Sequence, residues 1–179
     1  MAVEGCAECI FNSPVGRLRI AATADGVCAV VWLKEGEKTT ELVGEHQDPK
    51  DRARARQHLA TCTDWLTAYF SGSLLESPVP RPPLVIPKKG TFFHSVWSAL
   101  CSTEVGDTVS YSELAGLAGN PAAARAVGQA MRKHCIPLLI PCHRVVRSRG
   151  GGLGNYSGGE GTPTKQWLLE HEKKMVNGP

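Results

Sequence analysis

The chain has 179 residues, 42% of them hydrophobic and 21% charged, with a formal net charge of +3. That balance is ordinary for a globular protein, and the length suits one sizeable core or two small ones. No run of about 18 apolar residues is present to cross a membrane. The start Met1-Ala-Val-Glu-Gly-Cys6 lacks the basic and apolar regions of a secretory leader, so the seven cysteines read as thiols in a reducing compartment rather than as a disulfide framework.

In chain order, three short strands come first: Glu8-Cys-Ile-Phe11, Arg17-Leu-Arg-Ile-Ala21 and Val27 to Leu33. Ser13-Pro-Val-Gly16 and Ala24-Asp-Gly26 separate them with turn chemistry. They predict an antiparallel meander. Leu59, Cys62, Leu66 and Phe70 recur at helical spacing and predict an amphipathic helix over 51–70 that packs on the sheet. Pro78, Pro80, Pro82, Pro83 and Pro87 then mark a linker. The expected division is an α/β structural domain with its linker over 1–85 and a mainly helical domain over 86–179, an α+β fold in all.

The second half opens with a helix over Phe92–Cys101, with Phe93, Val96, Trp97 and Leu100 on one face. Ser110-Tyr-Ser-Glu113 has the form of a capping box and starts a short helix through Ala118. Gly119-Asn120-Pro121 is expected to stop it and start another over about 122–133, with Asn120 as N-cap. Two such helices make a helix-turn-helix. Ala122, Ala123, Ala124, Ala126 and Gly128 leave the second helix with a face of small residues from which Arg125 stands out. Thr162-Pro163 caps a last helix over about 164–173.

No acidic residue lies between Leu114 and Gly159, whereas Arg125, Arg132, Lys133, Arg144, Arg147 and Arg149 all do. A region of one sign is the footprint expected for a polyanion. Within it, Ile140-Pro-Cys-His-Arg-Val-Val146 places Cys142 beside a histidine and an arginine, the neighbours that favour a reactive thiolate. Packing as an ordinary buried thiol is the alternative. Gly150-Gly-Gly-Leu-Gly154 lacks the Lys-Ser/Thr and the strand–helix context of a phosphate loop.

These segments, with Ala124-Arg-Ala-Val-Gly128, Gly154-Asn-Tyr-Ser-Gly-Gly159 and Trp167-Leu-Leu-Glu-His-Glu172, resemble the O6-alkylguanine-DNA alkyltransferase family across about 90–173. The resemblance implies one-shot, irreversible transfer of an alkyl group from O6 of guanine in double-stranded DNA to Cys142, with no cofactor. His143 draws the thiol proton and Glu172 orients His143. Arg125 fills the gap left by a base flipped through the minor groove, and Tyr111 drives the rotation. Ser112, Asn120, Ala123, Ala124, Gly128 and Ser148 approach the DNA. Tyr111, Met131, Pro137, Val145, Tyr156, Ser157 and Gly158 line the alkylguanine pocket. The carbonyls of Cys142 and Val145 receive the exocyclic amine. The implied protein is a monomer without a membrane partner, nuclear in an animal-like member and cytoplasmic in a prokaryote.

The chain departs from the family at two places. His134 stands at the hinge where an asparagine is usual. Some relatives hold a structural zinc, but this chain has Thr23 and Cys28 at two of the ligand positions and no histidine in 80–90. Cys6, Cys9 and Cys28 lack an evident fourth partner, so no metal is expected. The competing readings are a non-catalytic alkylated-DNA lesion-binding protein of the same fold and a Cys–His hydrolase unrelated to DNA.

Overall fold

A computed structural model describes residues 6–34, 36–37, 48–87, 89–133, 136–148 and 151–178. The chain divides into two compact units, one ending at Val85 and the other starting at Ile86.

The first unit is the expected meander with a helix. β1 (Ala7–Ser13), β2 (Gly16–Thr23) and β3 (Gly26–Trp32) pair antiparallel in that order. The Ser13 and Thr23 hydroxyls bond back to the carbonyls of Gly16 and Gly26, closing both hairpin turns. α1 (Pro49–Ser71) starts where the Asp48 carboxylate accepts the Lys50 N–H, and ends at left-handed Gly72. It buries Leu59, Cys62, Trp65, Leu66 and Tyr69, while the sheet buries Leu18, Ile20, Ala22 and Val30. Phe70 is only half-buried and stacks on Phe11, with ring centroids 6.0 Å apart.

The proline-rich segment does more than link. Val27 N–H donates to the Pro83 carbonyl and Val85 N–H to the Val27 carbonyl, both at 2.8 Å, so Leu84 adds a parallel bridge to β3. Glycine is required at position 26, where an added Cβ would lie 2.4 Å from the Pro83 oxygen. Among the described residues, no group of three His, Cys, Asp or Glu is placed to hold a metal. Cys28 Sγ points to its neighbour strand's Ala21 carbonyl, and burial pushes the Cys9 thiol up to about 11.

The second unit contains α2 (Phe92–Cys101), β4 (Val109–Ser110), α3 (Tyr111–Leu117), α4 (Ala124–Lys133), a 3₁₀ turn (Cys142–Arg144), β5 (Val145–Val146) and α5 (Thr162–Asn177). α2 buries Val96, Trp97 and Leu100, and the Trp97 indole donates to the Ala130 carbonyl at 3.2 Å, which ties it to α4. The capping box forms as its residues require: Ser110 Oγ accepts from Glu113 N–H, and the Glu113 carboxylate accepts from Ser110 N–H.

Two helix starts differ from expectation. Asn120 does not cap α4. Gly119 takes φ 87 and donates to the Gly116 carbonyl, while Asn120 N–H donates to Ala115 at 2.9 Å. That pair of bonds is the Schellman termination of α3. A further turn, Ala123 N–H to the Asn120 carbonyl, delays α4 to Ala124. Likewise Thr162 is the first residue of α5 rather than its cap, and the helix runs on to Asn177. The Thr164 hydroxyl supplies the local bond instead, accepting from Glu160 N–H at 2.9 Å.

Candidate active site

The site is carried by paired strands. β4 and β5 run parallel, with Val109 beside Val145 and Ser110 beside Val146. β4 leads directly into α3 at Tyr111, and the 3₁₀ turn bearing Cys142 leads directly into β5. The ladder therefore fixes Tyr111 relative to Cys142. Ahead of the turn, Ile136, Leu138, Leu139 and Ile140 are buried. Leu138 takes φ 71, the one non-glycine residue with positive φ among those described. That conformation costs about 1–2 kcal/mol, which burial of the apolar run offsets. Cys142 N–H then donates to the Ile140 carbonyl at 2.7 Å, and Val145 N–H closes the turn onto the Cys142 carbonyl.

His143, Glu172 and Arg144 form one buried network. The imidazole Nε2 lies 2.6 Å from Glu172 Oε1, with both side chains fully buried. Arg144 donates from Nη2 to Oε1 at 3.0 Å and from Nε to Oε2 at 2.8 Å. Gly106 N–H also reaches Oε2, and Arg144 Nη1 continues to the Thr103 carbonyl and hydroxyl. Burial alone would raise the Glu172 carboxyl, but its bonds and charge pairing with His143 and Arg144 prevail and hold it at about 2. Burial pushes the His143 imidazole down, and the Glu172 hydrogen bond only partly restores it. A neutral imidazole donating to a carboxylate carries its proton on Nε2. Nδ1, buried and without a hydrogen-bond partner, is then free to accept a proton. Glu170, equally placed by eye in the sequence, is exposed and bonds Gln166.

The basic neighbours of Cys142 do not act as sequence adjacency suggested. Arg144 turns to Glu172, and burial pushes the half-buried Cys142 thiol up to about 12. The cation that favours its ionised form is Lys165, with the Tyr156 phenol and backbone N–H groups acting in the same direction. Lys165 was not singled out in the sequence. It is fully buried on the first turn of α5 and donates to the Val145 carbonyl at 2.6 Å, an oxygen expected to receive the guanine amine. Burial pulls its ammonium down to about 8. Only its apolar neighbours on α5, in a region otherwise read as a helix face, offered a signal.

Tyr111 is half-buried, and burial raises its phenol, so the hydroxyl is a donor at neutral pH. Tyr156 behaves likewise and couples to the sulfur. Val145 is buried, Met131, Pro137 and Gly158 are half-buried, and Ser157 is exposed. An added Cβ at Gly159, which has φ 54, would lie 2.5 Å from Thr164 Oγ1. The Ser112 and Ser148 hydroxyls meet at 3.4 Å. Arg125 is exposed on the first turn of α4, flanked by half-buried Ala123, Ala124, Ala126 and Gly128. A Cβ added at Gly128 meets nothing within 4 Å, so the fold itself does not require glycine there. Asn120 is exposed, and its N–H is committed to the Ala115 carbonyl, so any approach to DNA there falls to its side chain and not to that amide. His134 and Arg149 lie outside the described residues.

Comparison with known proteins accounts for this arrangement. Residues 91–174 match the family model of the 6-O-methylguanine DNA methyltransferase DNA-binding domain, and residues 8–82 that of its ribonuclease-like domain. The chain is 41% identical over 175 residues to the methylated-DNA–protein-cysteine methyltransferase of Cricetulus griseus, covering 91% of this chain and 80% of that protein. It is 40% identical over 172 residues to the Homo sapiens protein of that name, covering 94% and 81%. It is also similar to the solved Mycobacterium tuberculosis OGT in complex with DNA, with TM-score 0.72, 32% identity and coverage of 94% and 93%. On the sequence of both units and on the fold, the chain belongs to the 6-O-methylguanine DNA methyltransferase family.

Proposed function

We propose that the protein repairs DNA by direct reversal, moving an alkyl group from O6 of guanine in duplex DNA onto Cys142, once per molecule. The observation that carries the mechanism is the buried pair of His143 Nε2 and Glu172 Oε1 at 2.6 Å, which leaves Nδ1 as an acceptor one residue from the sulfur.

The thiol is protonated at rest, because burial outweighs its stabilising neighbours. Loss of its proton is therefore coupled to attack. His143 Nδ1 takes the proton through a bridging water, and Glu172 stabilises the imidazolium that results. The Sγ–C bond forms as the C–O6 bond breaks, and the electron pair passes to the purine. Tyr111, fixed by the β4–β5 ladder, donates toward guanine N3 as that charge grows. The proton from sulfur ends on the guanine product. Sulfur is a soft nucleophile suited to an alkyl carbon, and the thioether is not reversed, so no cofactor is required.

The base must leave the stack to reach Cys142. Arg125 on the small-faced first turn of α4 is our candidate for the side chain that fills the gap, in the degenerate minor groove where little base readout is needed. Open space around Gly128 supports close approach by an outside surface. The unit from Ile86 onward would carry both DNA binding and transfer, with the first unit structural. The test is a titration of duplex DNA containing O6-methylguanine. Repair should stop at one equivalent of protein and be absent in Cys142→Ser. Continued turnover would contradict the reading, and binding without any repair by the unaltered protein would favour a lesion-binding role.

A further inference from the structure

Arg147 directly follows β5. Its side chain is exposed, and no hydrogen bond or ion pair joins it to a described residue. In an acid-free region such an arginine reads first as a phosphate ligand. Its surroundings say something else. A Cβ added at Gly151 would lie 2.8 Å from Arg147 Cβ and 3.5 Å from its Cδ, and one added at Gly154 would lie 3.6 Å from its Cγ. The backbone at Gly151 thus lies close against Arg147 Cβ, and the stem out to Cδ runs at ordinary contact distance past the Gly151 and Gly154 positions. The same point at Gly154 is 3.8 Å from the Tyr111 hydroxyl and 3.9 Å from Lys165 Nζ. Arg147 N–H also donates to the Gly152 carbonyl at 3.2 Å. Arg147 itself borders an open groove of about 550 Å³ with Thr108, Leu153, Glu170 and Lys173.

Glycines carry the largest backbone entropy of any residue, so a stretch rich in them holds no position of its own. We infer that Arg147 is a positioning residue for alkyl transfer: its aliphatic stem, lodged between Gly151 and Gly154, sets the height of the segment that presents Tyr156 and Ser157 to Cys142. The inference rests on the alkyl-transfer reading above. It assigns the stem, not the charge, as the working part.

The experiment compares Arg147→Met, Arg147→Ala and Gly151→Ala on free O6-benzylguanine, which has no phosphates, and on alkylated duplex DNA. Methionine keeps a stem of similar length without charge. Arg147→Met should react with the free base within about threefold of the unaltered protein. Arg147→Ala and Gly151→Ala should each slow that reaction about tenfold or more, since misplacement on the ångström scale costs up to about a hundredfold. If Arg147→Ala keeps full rate on the free base and loses it only on duplex DNA, the residue is a phosphate contact and the inference is wrong. Equal slowing of Arg147→Met and Arg147→Ala on the free base also overturns it. Should Arg147→Ala fail to fold, Arg147→Val, which ends the stem at Cγ, should slow the free-base reaction as alanine would, and a rate equal to that of Arg147→Met overturns the inference. An unaltered protein inert to both substrates would instead contradict the alkyl-transfer reading itself.

Discussion

Replacing Glu172 by glutamine tests the buried network at its most connected atom pair. Its carboxylate accepts from His143 Nε2, Arg144 Nη2, Arg144 Nε and Gly106 N–H, two donors to each oxygen. Glutamine offers one acceptor oxygen and an amide NH₂. Whichever way it turns, two donors face donors, and the Arg144 charge is left buried without a counterion. A carboxyl held at about 2 rather than its ordinary 4.5 represents about 3 kcal/mol of preference for the folded state at neutral pH. Breaking a buried ion pair costs about 3–5 kcal/mol by mutation. The two figures agree, and at about 4–8 °C per kcal/mol for a unit of under 100 residues they place the loss in melting temperature at about 12 °C or more. Catalysis should fall too, by about a hundredfold or more on free O6-benzylguanine, because His143 loses the partner that sets its tautomer. The sign with pH follows from the lowered carboxyl. Its contribution is complete above about 4.5 and is lost as pH falls through about 2, so Glu172→Gln should flatten that acid limb of the stability curve. Thermal melts from pH 7 to pH 2 and single-turnover rates measure both. A variant that melts within a degree or two of the parent and reacts at its rate would refute the network's role.

Arg125→Ala should slow reaction on duplex DNA about tenfold or more while leaving the free-base rate within about twofold, and equal losses would remove the gap-filling role. Gly128→Ala should stabilise α4 by up to about 1 kcal/mol, since nothing in the fold opposes the added methyl, yet weaken reaction on duplex DNA. Unchanged repair with the stability gain would mean that DNA does not approach there. Lys165→Met removes a buried ammonium held at about 8, so the parent should gain stability relative to the variant as pH rises from about 8 toward 10.5, on top of the loss above about 9 that both share from their buried thiols. Parallel melting curves across that range would contradict the burial assigned to Lys165.

Much of this molecule was readable in its sequence where local chemistry decides the outcome. The α2 limits, the Ser110–Glu113 capping box and the two hairpin turns follow from residues within a few positions of each other. Cys142, His143 and Glu172 could be listed from the family resemblance, and the structure joins His143 to Glu172. What escaped depends on partners distant in the chain. Lys165 meets the Val145 carbonyl twenty residues away, and Arg144 turns from the neighbouring sulfur to Glu172. The β4–β5 ladder is two residues deep on each side, too short for any periodicity to show. Asn120 carried a strong N-cap signal, but Gly119 in the left-handed region drew its amide into terminating the preceding helix instead.

The central claim is that Cys142 is the acceptor. The most direct measurement is the intact mass of the protein after incubation with duplex DNA bearing O6-methylguanine, followed by peptide mapping. The account predicts a gain of one methyl group per molecule, on the peptide containing Cys142, and none in Cys142→Ser. A methyl group on any other residue, or complete repair with no change in protein mass, would contradict it.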